Sequence, residues 1–188
     1  KLVRYKHLDY DDLEVKIKRI KSPTKIIFTD TVFSMTGEKA NLLKISSIAK
    51  RNKALLFIDD AHGFGVLREN EKKFPSCINN LNLDKIKIDA YVGTFGKAVG
   101  TFGAFICGST ELISLLIQKS KPYIYSTALP PALVQTTLES INMIMDDKKI
   151  VKNLHSNITY FKKLIKKFKI NINDSDTPIQ TMTIGNPK

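Results

Sequence analysis

Short unbroken apolar runs alternate along the chain with longer stretches in which apolar residues recur at helical spacing. The runs at 25–30, 54–58 and 88–92 have the length of strands and the near-continuous hydrophobicity of strands buried on both faces. Between the first two runs, residues 40–50 place their apolar side chains on one face of a helix. This order of strand, helix and strand predicts an α/β fold in which helices cover a mainly parallel sheet.

Further elements are predicted on both sides of this unit. We expect helices at 10–20, 110–120, 131–145 and 151–168 and another strand at 103–108. Residues 123–131 are predicted to be extended. The two prolines at their end are typical of a helix start and predict where the next helix begins. Residues 181–184 resemble a strand, and the polar stretch 68–87 has the character of an insertion.

Composition narrows the possible partners. The formal net charge of +12 could indicate nucleic-acid binding, but arginines are few and lysines are scattered, without a recognition motif. The lysines of the 151–168 helix could suggest a membrane-surface helix, although a solvated face on a packed helix is the simpler interpretation. We therefore predict neither a nucleic-acid nor a membrane partner, and no apolar run approaches the roughly 18 residues that span a bilayer.

The cysteines and the ends of the sequence add two further expectations. Cys77 and Cys107 lie far apart without CxxC spacing, so neither a disulfide framework nor a zinc site is indicated, and a reducing, cytoplasmic setting fits. The chain starts in charged sequence without an initiator methionine and stops just after an apolar run. We therefore expect an internal segment of a longer protein.

One lysine lies in a glycine-punctuated turn directly after the predicted strand 88–92. The turn reads Gly93-Thr94-Phe95-Gly96-Lys97. A phosphate-binding P-loop is excluded, because the positions that need glycine and Ser or Thr hold Tyr91 and Ala98. Lys97 could be an ordinary surface lysine; the functional alternative is an amine that forms a Schiff base, which requires partial desolvation.

Polar residues also follow the other predicted strands. Ser34, Asp59 and Lys97 each come just beyond a strand, and parallel sheets bind ligands at the carboxyl ends of their strands. A hydrolytic triad of Ser34, Asp59 and His62 is disfavoured because the serine lacks the GxSxG elbow. A metal site at His62 is also disfavoured, because no second histidine lies at ligand spacing. Taken alone, His62 could be structural.

Several motifs occur together in a fixed order. The segments 59–67 (DDAHGFGVL) and 93–105 (GTFGKAVGTFGAF) resemble the pyridoxal-phosphate enzymes of the α-oxoamine synthase family. Segments 32–35, 125–131 and 177–180 match in the same order, so the resemblance covers nearly the whole chain. It implies that residues 1–147 form the C-terminal part of the large domain of a fold-type I pyridoxal-phosphate enzyme, and that residues 148–188 begin a smaller C-terminal domain.

The resemblance also implies roles for individual residues. Lys97 would bind pyridoxal 5'-phosphate covalently and act with His62 as a catalytic residue. Asp59 would keep the pyridine nitrogen protonated, which lets the ring act as an electron sink, and Thr94 would contact the phosphate. The whole implied cofactor-binding set is Ser34, Asp59, His62, Thr94, Lys97, Ser126 and Thr127, with Ser34 and His62 at the ring's 3' oxygen and the last two residues reaching across a homodimer interface.

The implied reaction is the condensation of an amino acid with an acyl thioester. Within the family, the chain looks most like the members that join L-alanine to a pimeloyl group carried by CoA or acyl-carrier protein, in biotin biosynthesis. Relatives that use other acyl donors or use glycine or serine are the alternative, and a basic binding module without covalent chemistry is an alternative of another class. Because other parts of the family's site lie outside these residues, we expect this segment alone to be inactive.

Overall fold

The computed structural model describes residues 1–67, 74–81 and 86–185, and part of the predicted insertion at 68–87 lies outside these ranges. A four-stranded sheet with the strand order β1-β2-β3-β4 forms its centre. Strands β1 (Ile26–Asp30), β2 (Leu55–Asp59) and β3 (Ala90–Thr94) run parallel, and β4 (Ala104–Gly108) pairs antiparallel with β3. The predicted α/β fold with a mainly parallel sheet is confirmed.

Several of the helices begin directly after a polar residue that caps their first turn. The helices are α1 (Tyr10–Arg19), α2 (Leu42–Arg51), α3 (Thr110–Lys119), α4 (Lys121–Ile124), α5 (Pro131–Asp146) and α6 (Lys148–Lys167), with a short 3-10 helix at Cys77–Asn80. Side chains of Asp9, Asn41 and Ser109 accept hydrogen bonds from backbone N–H groups in the first turns of α1, α2 and α3. Such caps satisfy N–H groups that a helix leaves unpaired, which fixes where each helix starts.

The two faces of the sheet differ in burial. On one face, Leu56 and Ile58 are fully buried in a core to which α1 and α2 contribute Ile17 and Ile45. Alternate residues of a strand point to the opposite face, and there Phe28 of β1 is 56% exposed. The open face also carries the last residues of β1 and β2, and it therefore positions the candidate site.

Helices α5 and α6 extend this framework. Val151 and Ile158 are buried on the apolar side of α6, and Val151 packs with Val99 and Ile144. The predicted domain boundary falls at Asp147, whose side chain accepts from the Lys149 backbone N–H at 2.9 Å and caps α6. Within the described ranges, the structure contains no helix both long and apolar enough to cross a membrane.

Two local predictions were wrong. Residues 123 and 124 are not extended but end α4, where Pro122 occupies the first turn and suits the fixed backbone angle of a helix start. Residues 181–184 form no strand. Asn173 N–H donates to the Thr181 carbonyl at 2.9 Å, but no neighbouring strand within the described residues continues a ladder. A strand needs such a partner for its backbone groups.

Candidate active site

The carboxyl ends of the parallel strands bring acidic and hydroxyl side chains to one edge of the sheet. Asp30 is in register with Asp59, and Asp59 is in register with Val92 on β3. Because Thr94 lies two residues beyond Val92, it belongs to the same open face. The backbone N–H of Ala61 donates to Asp59 Oδ1 at 2.9 Å, which orients this half-buried carboxylate at the strand end.

His62 and Lys97 meet in front of these strand ends. The distance between Lys97 Nζ and His62 Nε2 is 2.7 Å. Burial lowers the pKa of His62, the charge of Lys97 lowers it further, and Asp30 and Asp59 partly oppose both effects. The imidazole is therefore neutral at neutral pH, and its Nε2 can accept a hydrogen bond from the Lys97 ammonium.

The loop that carries His62 is fixed by the residue that follows Asp59. Backbone N–H groups of Gly63 and Phe64 donate to the Asp60 carbonyl at 3.0 and 2.8 Å. A Cβ at position 63 would lie 2.2 Å from Asp60 Oδ1, so this tight turn requires glycine. The side chain of Asp60 is buried on the opposite face, where it accepts from Tyr91 OH at 2.7 Å.

The turn that carries Lys97 is closed by its own backbone and held by α5. Thr101 N–H donates to the Phe95 carbonyl at 2.8 Å. Ser140 Oγ on α5 donates to the Val99 carbonyl at 2.6 Å, and Thr137 Oγ1 donates to Thr101 Oγ1 at 2.9 Å. These contacts explain why an exposed lysine has a defined position, and the sequence alone did not indicate that α5 supplies them.

Close approach of the His62 loop to the Lys97 turn depends on a second glycine. Gly65 has φ +80°, and an added Cβ would lie 2.8 Å from the Cβ of Ala98. Phe64 also packs edge-on against Phe95, with ring centroids 6.5 Å apart. The loop and the turn are therefore packed against each other beside the His62–Lys97 pair.

Thr94 and Ser34 reach the same end of the sheet with different surroundings. Thr94 Oγ1 donates to the Gly103 carbonyl at 3.1 Å and accepts from Gly96 N–H at 3.3 Å, so its hydroxyl now supports the Lys97 turn. Ser34 is exposed in the loop that follows β1. Within the described residues, it makes no hydrogen bond to Asp59, His62 or Lys97.

Ser126 and Thr127 lie in the exposed segment after α4. Ser126 Oγ donates to the Pro122 carbonyl. Leu129, further along this segment, comes 3.3 Å from the position that a Cβ of Gly103 would take. The segment thus passes the Lys97 turn, while the predicted contact of Ser126 and Thr127 across a dimer interface stays a prediction.

A cleft of about 570 Å³ opens beside His62 and Lys97. Ile150 and Leu154 of α6 contribute apolar walls, and Pro178 from the motif 177–180 lies on another side. The same motif contacts the Ser34 loop, because Thr177 Oγ1 donates to the Gly37 carbonyl at 3.1 Å. Segments that are far apart in the sequence therefore surround a single opening.

The sequence analysis did not identify Asp30 as part of the site. This residue ends β1 as Asp59 ends β2, and its charge interacts with Asp59, His62 and Lys97. Burial raises the pKa of Asp30, and the neighbouring Asp59 adds to this effect. The signal in the sequence was an acidic residue at the end of an apolar run, but only the register shows that it adjoins Asp59.

Comparison with curated proteins gives relatives over nearly the whole chain. The family model described as aminotransferase class I and II matches residues 1–188. The 8-amino-7-oxononanoate synthase of Thermoanaerobacter pseudethanolicus is 38% identical over 186 residues, which cover 98% of this chain and 46% of the relative. That of Methylococcus capsulatus is 36% identical over 182 residues, with 97% and 46% covered. The chain spans about half the length of the curated relatives it matches.

Comparison with solved structures gives the same kind of fold. Serine palmitoyltransferase from S. paucimobilis with a bound PLP–myriocin aldimine has a TM-score of 0.88 and 27% identity, and the match covers 99% of this chain and 48% of that one. The 8-amino-7-oxononanoate synthase from Francisella tularensis has a TM-score of 0.76 and 30% identity, with 94% and 50% covered. Both comparisons thus include an 8-amino-7-oxononanoate synthase.

Proposed function

Since the chain belongs to the aminotransferase class I and II family, whose relatives here are pyridoxal-phosphate enzymes, we propose that it forms the cofactor-binding part of an 8-amino-7-oxononanoate synthase. The reaction joins L-alanine to a pimeloyl thioester. It forms the new carbon–carbon bond, releases carbon dioxide and the free thiol carrier, and yields 8-amino-7-oxononanoate for biotin synthesis. The carrier is CoA or acyl-carrier protein.

The side chains present fit pyridoxal 5'-phosphate. Asp59 offers a half-buried carboxylate, and Lys97 offers an amine whose described hydrogen bond is to His62. A carboxylate suits the pyridine nitrogen and a primary amine suits the aldehyde carbon, and both groups are at the carboxyl edge of one sheet. We propose that Ser34 and His62 bind the ring's 3' oxygen and that Thr94, Ser126 and Thr127 bind the phosphate.

When bound, the cofactor supplies an electron sink that stabilises negative charge at the amino-acid Cα. Lys97 would hold the cofactor in the resting enzyme, and its amine would remove the Cα proton of L-alanine. The neutral His62 next to it accepts a hydrogen bond from the Lys97 ammonium and so helps to orient the amine. Asp59 would hydrogen-bond the pyridine nitrogen and keep it protonated, so that the ring could accept the negative charge that develops at Cα.

The observation that carries this proposal is the 2.7 Å contact between Lys97 Nζ and His62 Nε2 beside the Asp59 strand end. The test is to load the intact protein with pyridoxal phosphate, reduce it with borohydride and map the modified peptide by mass spectrometry. We expect the pyridoxyl group on Lys97. Lys97→Ala should lose this label and lower the rate of Cα deuterium exchange of alanine by about 10²–10⁴-fold, which is typical of a lost general base.

Lys39→Ala is the matched control for this experiment. Lys39 forms a backbone bridge with Val32, just beyond the end of β1, and its side chain forms an ion pair with Asp176 at 2.7 Å. Its removal should leave the labelling of Lys97 and the deuterium exchange unchanged. A label at another lysine, or no label at all, would refute the proposed role of Lys97. Steeply salt-dependent binding of nucleic acid or anionic lipid in its place would support the basic binding module.

The amino acid and the acyl donor have a specific alternative. The similarity to serine palmitoyltransferase at a TM-score of 0.88 favours a second candidate, another α-oxoamine synthase of the serine palmitoyltransferase, glycine C-acetyltransferase or 5-aminolevulinate synthase type. The sequence matches favour the first candidate, because the curated relatives at 38% and 36% identity are both 8-amino-7-oxononanoate synthases. Offering alanine, glycine and serine with several acyl thioesters and identifying the product decides between them. Preference for glycine or serine would reject the alanine proposal.

The assembly and location are part of the same proposal. We place residues 1–147 in the large domain and residues 148–188 at the start of the smaller one, in a cytoplasmic homodimer. The boundary is supported by the helix break at Asp147 between α5 and α6. The dimer is supported by the position of Ser126 and Thr127 in an exposed segment, from which they could reach a partner's site.

A further inference from the structure

Residues 32–39 form the Ser34 loop, which its own backbone closes. Phe33 N–H donates to the Glu38 carbonyl at 2.9 Å, and Gly37 N–H donates to the Phe33 carbonyl at 2.8 Å. Ser34 begins the turn that these two hydrogen bonds enclose. Because the loop is closed, a contact that holds the Gly37 carbonyl also restricts where Ser34 lies.

Two buried hydroxyl groups lie at the Gly37 carbonyl. Thr177 is 0% exposed and Ser175 is 3% exposed. Thr177 Oγ1 and Ser175 Oγ lie 3.1 and 3.0 Å from the Gly37 carbonyl oxygen and 2.8 Å from each other. Each hydroxyl has one hydrogen, so one can donate to the carbonyl while the other donates to its neighbour. Either hydroxyl alone can therefore satisfy this carbonyl.

Gly37 also brings the loop into direct backbone contact with the segment that carries these hydroxyls. Its φ is +72°, and an added Cβ would overlap the Ile179 carbonyl oxygen. Pro178 and Ile179 line the cleft beside His62 and Lys97. One short segment is therefore both a wall of the cleft and a support of the loop.

An ion pair joins the same two segments at the surface. Lys39 Nζ lies 2.7 Å from Asp176 Oδ2, and the two side chains are 36% and 65% exposed. Water and salt screen such a pair, so it contributes little to stability. Gly37 is buried, and a buried carbonyl that loses its donors stays unsatisfied. The hydroxyl contacts are therefore the stronger link between the two segments.

We propose that Ser175 and Thr177 are positioning residues whose hydroxyls hold the Ser34 loop at the cleft, in the position from which Ser34 binds the cofactor. Both hydroxyls act through the Gly37 carbonyl and not on the cofactor itself. The inference rests on the proposed function in taking Ser34 as a ligand of the ring's 3' oxygen. The hold on the loop is a property of the cofactor-free protein and can be measured there.

The first measurement is hydrogen exchange in the intact, cofactor-free protein with the double substitution Ser175→Ala/Thr177→Val. The Phe33 and Gly37 amides should exchange about 10-fold faster, because the buried carbonyl loses its donors and the loop opens more often. Each single substitution should raise the rate by about 3-fold or less, since the remaining hydroxyl still donates. Lys39→Ala is the matched control, because it removes only the surface ion pair between the same segments, and it should leave the exchange unchanged.

The second measurement asks whether the hydroxyls act through Ser34. The double substitution should weaken the affinity for pyridoxal phosphate by about 3- to 10-fold, the effect of losing one hydrogen bond. In a Ser34→Ala background it should cause no further loss, because residues that act through one contact are not additive. Thr177→Ser keeps the hydroxyl and should bind the cofactor as tightly as the wild type does.

Unchanged exchange in the double variant would overturn the proposal. An equal loss of cofactor affinity with and without Ser34 would mean a general structural role and would also overturn it, as would no loss of affinity at all. If the double variant does not fold, Thr177→Val is taken through the same cycle, and a loss that persists in Ser34→Ala has the same meaning. Missing borohydride labelling of Lys97 would refute the proposed function instead, and the exchange rates would then decide whether the hydroxyls hold the loop.

Discussion

Asp59 and Asp60 are neighbours in the sequence and lie on opposite faces of the sheet with opposite surroundings. Asp60 is 0% exposed, and its carboxylate accepts from the hydroxyls of Thr31, Ser76 and Tyr91 and from the Cys77 backbone N–H. Asp59 is half-buried and accepts from the Ala61 N–H, with Asp30 in register beside it. The carboxylate of Asp60 joins segments of the fold, and that of Asp59 lies on the open face of the sheet.

The difference shows how two adjacent acidic residues can have different surroundings, one within the framework and one at the candidate site. A carboxylate has about four acceptor positions, and those of Asp60 are occupied by donors from separate segments, which ties β1, β3 and the 3-10 helix together. The open face keeps titratable groups near each other and near solvent instead. Side chains that bind a ligand or react need unoccupied hydrogen-bonding positions, whereas those that stabilise a fold have these positions occupied by partners.

The largest expected effect is on the buried face. Asp60→Ala leaves Tyr91 OH, Ser76 Oγ and the Cys77 N–H without their buried acceptor. The free energy of unfolding should fall by about 3–5 kcal/mol, because several buried donors lose their acceptor at about 1–3 kcal/mol each. Asp59→Ala should cost about 1 kcal/mol or less, because only one partly exposed N–H loses its acceptor. Urea denaturation measures both values, and equal losses would contradict the division between the faces.

Much of the fold and some of the candidate site could be predicted from the sequence. The apolar runs located the strands to within a few residues, and the parallel order placed the ends of β1, β2 and β3 at one edge. His62 and Lys97 were selected as motif residues, and the structure brings their nitrogen atoms to 2.7 Å. These results follow from local patterns, because strand length, glycine turns and the polar residues after strands are all encoded within short segments.

Other parts depend on contacts between distant segments and could not be predicted. The register that places Asp30 beside Asp59 is fixed by pairing of β1 with β2, not by either strand alone. The support of the Lys97 turn by Ser140 spans 41 residues of sequence. The strand pattern alone also did not show which of Asp59 and Asp60 would be buried. They point to opposite faces of the sheet, and only the packing of the core decides which face is covered.

A smaller effect is expected where the His62 loop approaches the Lys97 turn. Gly65 and Gly100 both have positive φ, +80° and +70°, but an added Cβ at 65 would meet Ala98 at 2.8 Å, whereas position 100 is open. Gly100→Ala should cost about 1–2 kcal/mol for the left-handed backbone alone. Gly65→Ala should lower the free energy of unfolding by about 1–3 kcal/mol more than Gly100→Ala does, because the added methyl group overpacks against Ala98. Thermal and urea unfolding give the difference between the variants, and equal costs would mean that the loop and the turn are not packed together.

The smallest expected effect is on the pH dependence of folding stability, through His62 on the open face. Burial, then the charge of Lys97, lowers the pKa of His62 below its usual 6.5, whereas burial raises the pKa of Tyr91 on the buried face, away from neutrality. As pH falls below about 6.5, the unfolded chain binds a proton at His62 that the folded chain does not yet bind, so folded stability decreases.

His62→Gln removes this contribution, and the stability of the variant should decline less than that of the wild type between pH 7 and the folded pKa of His62. Because the ring is partly exposed, the difference should be only a few tenths of a kcal/mol, measured by urea titrations relative to pH 8, where His62 is neutral in both states. Identical pH slopes in the two proteins would show that His62 is no more desolvated than a free histidine, and the open face would then lack the partial desolvation that the proposed role of Lys97 requires.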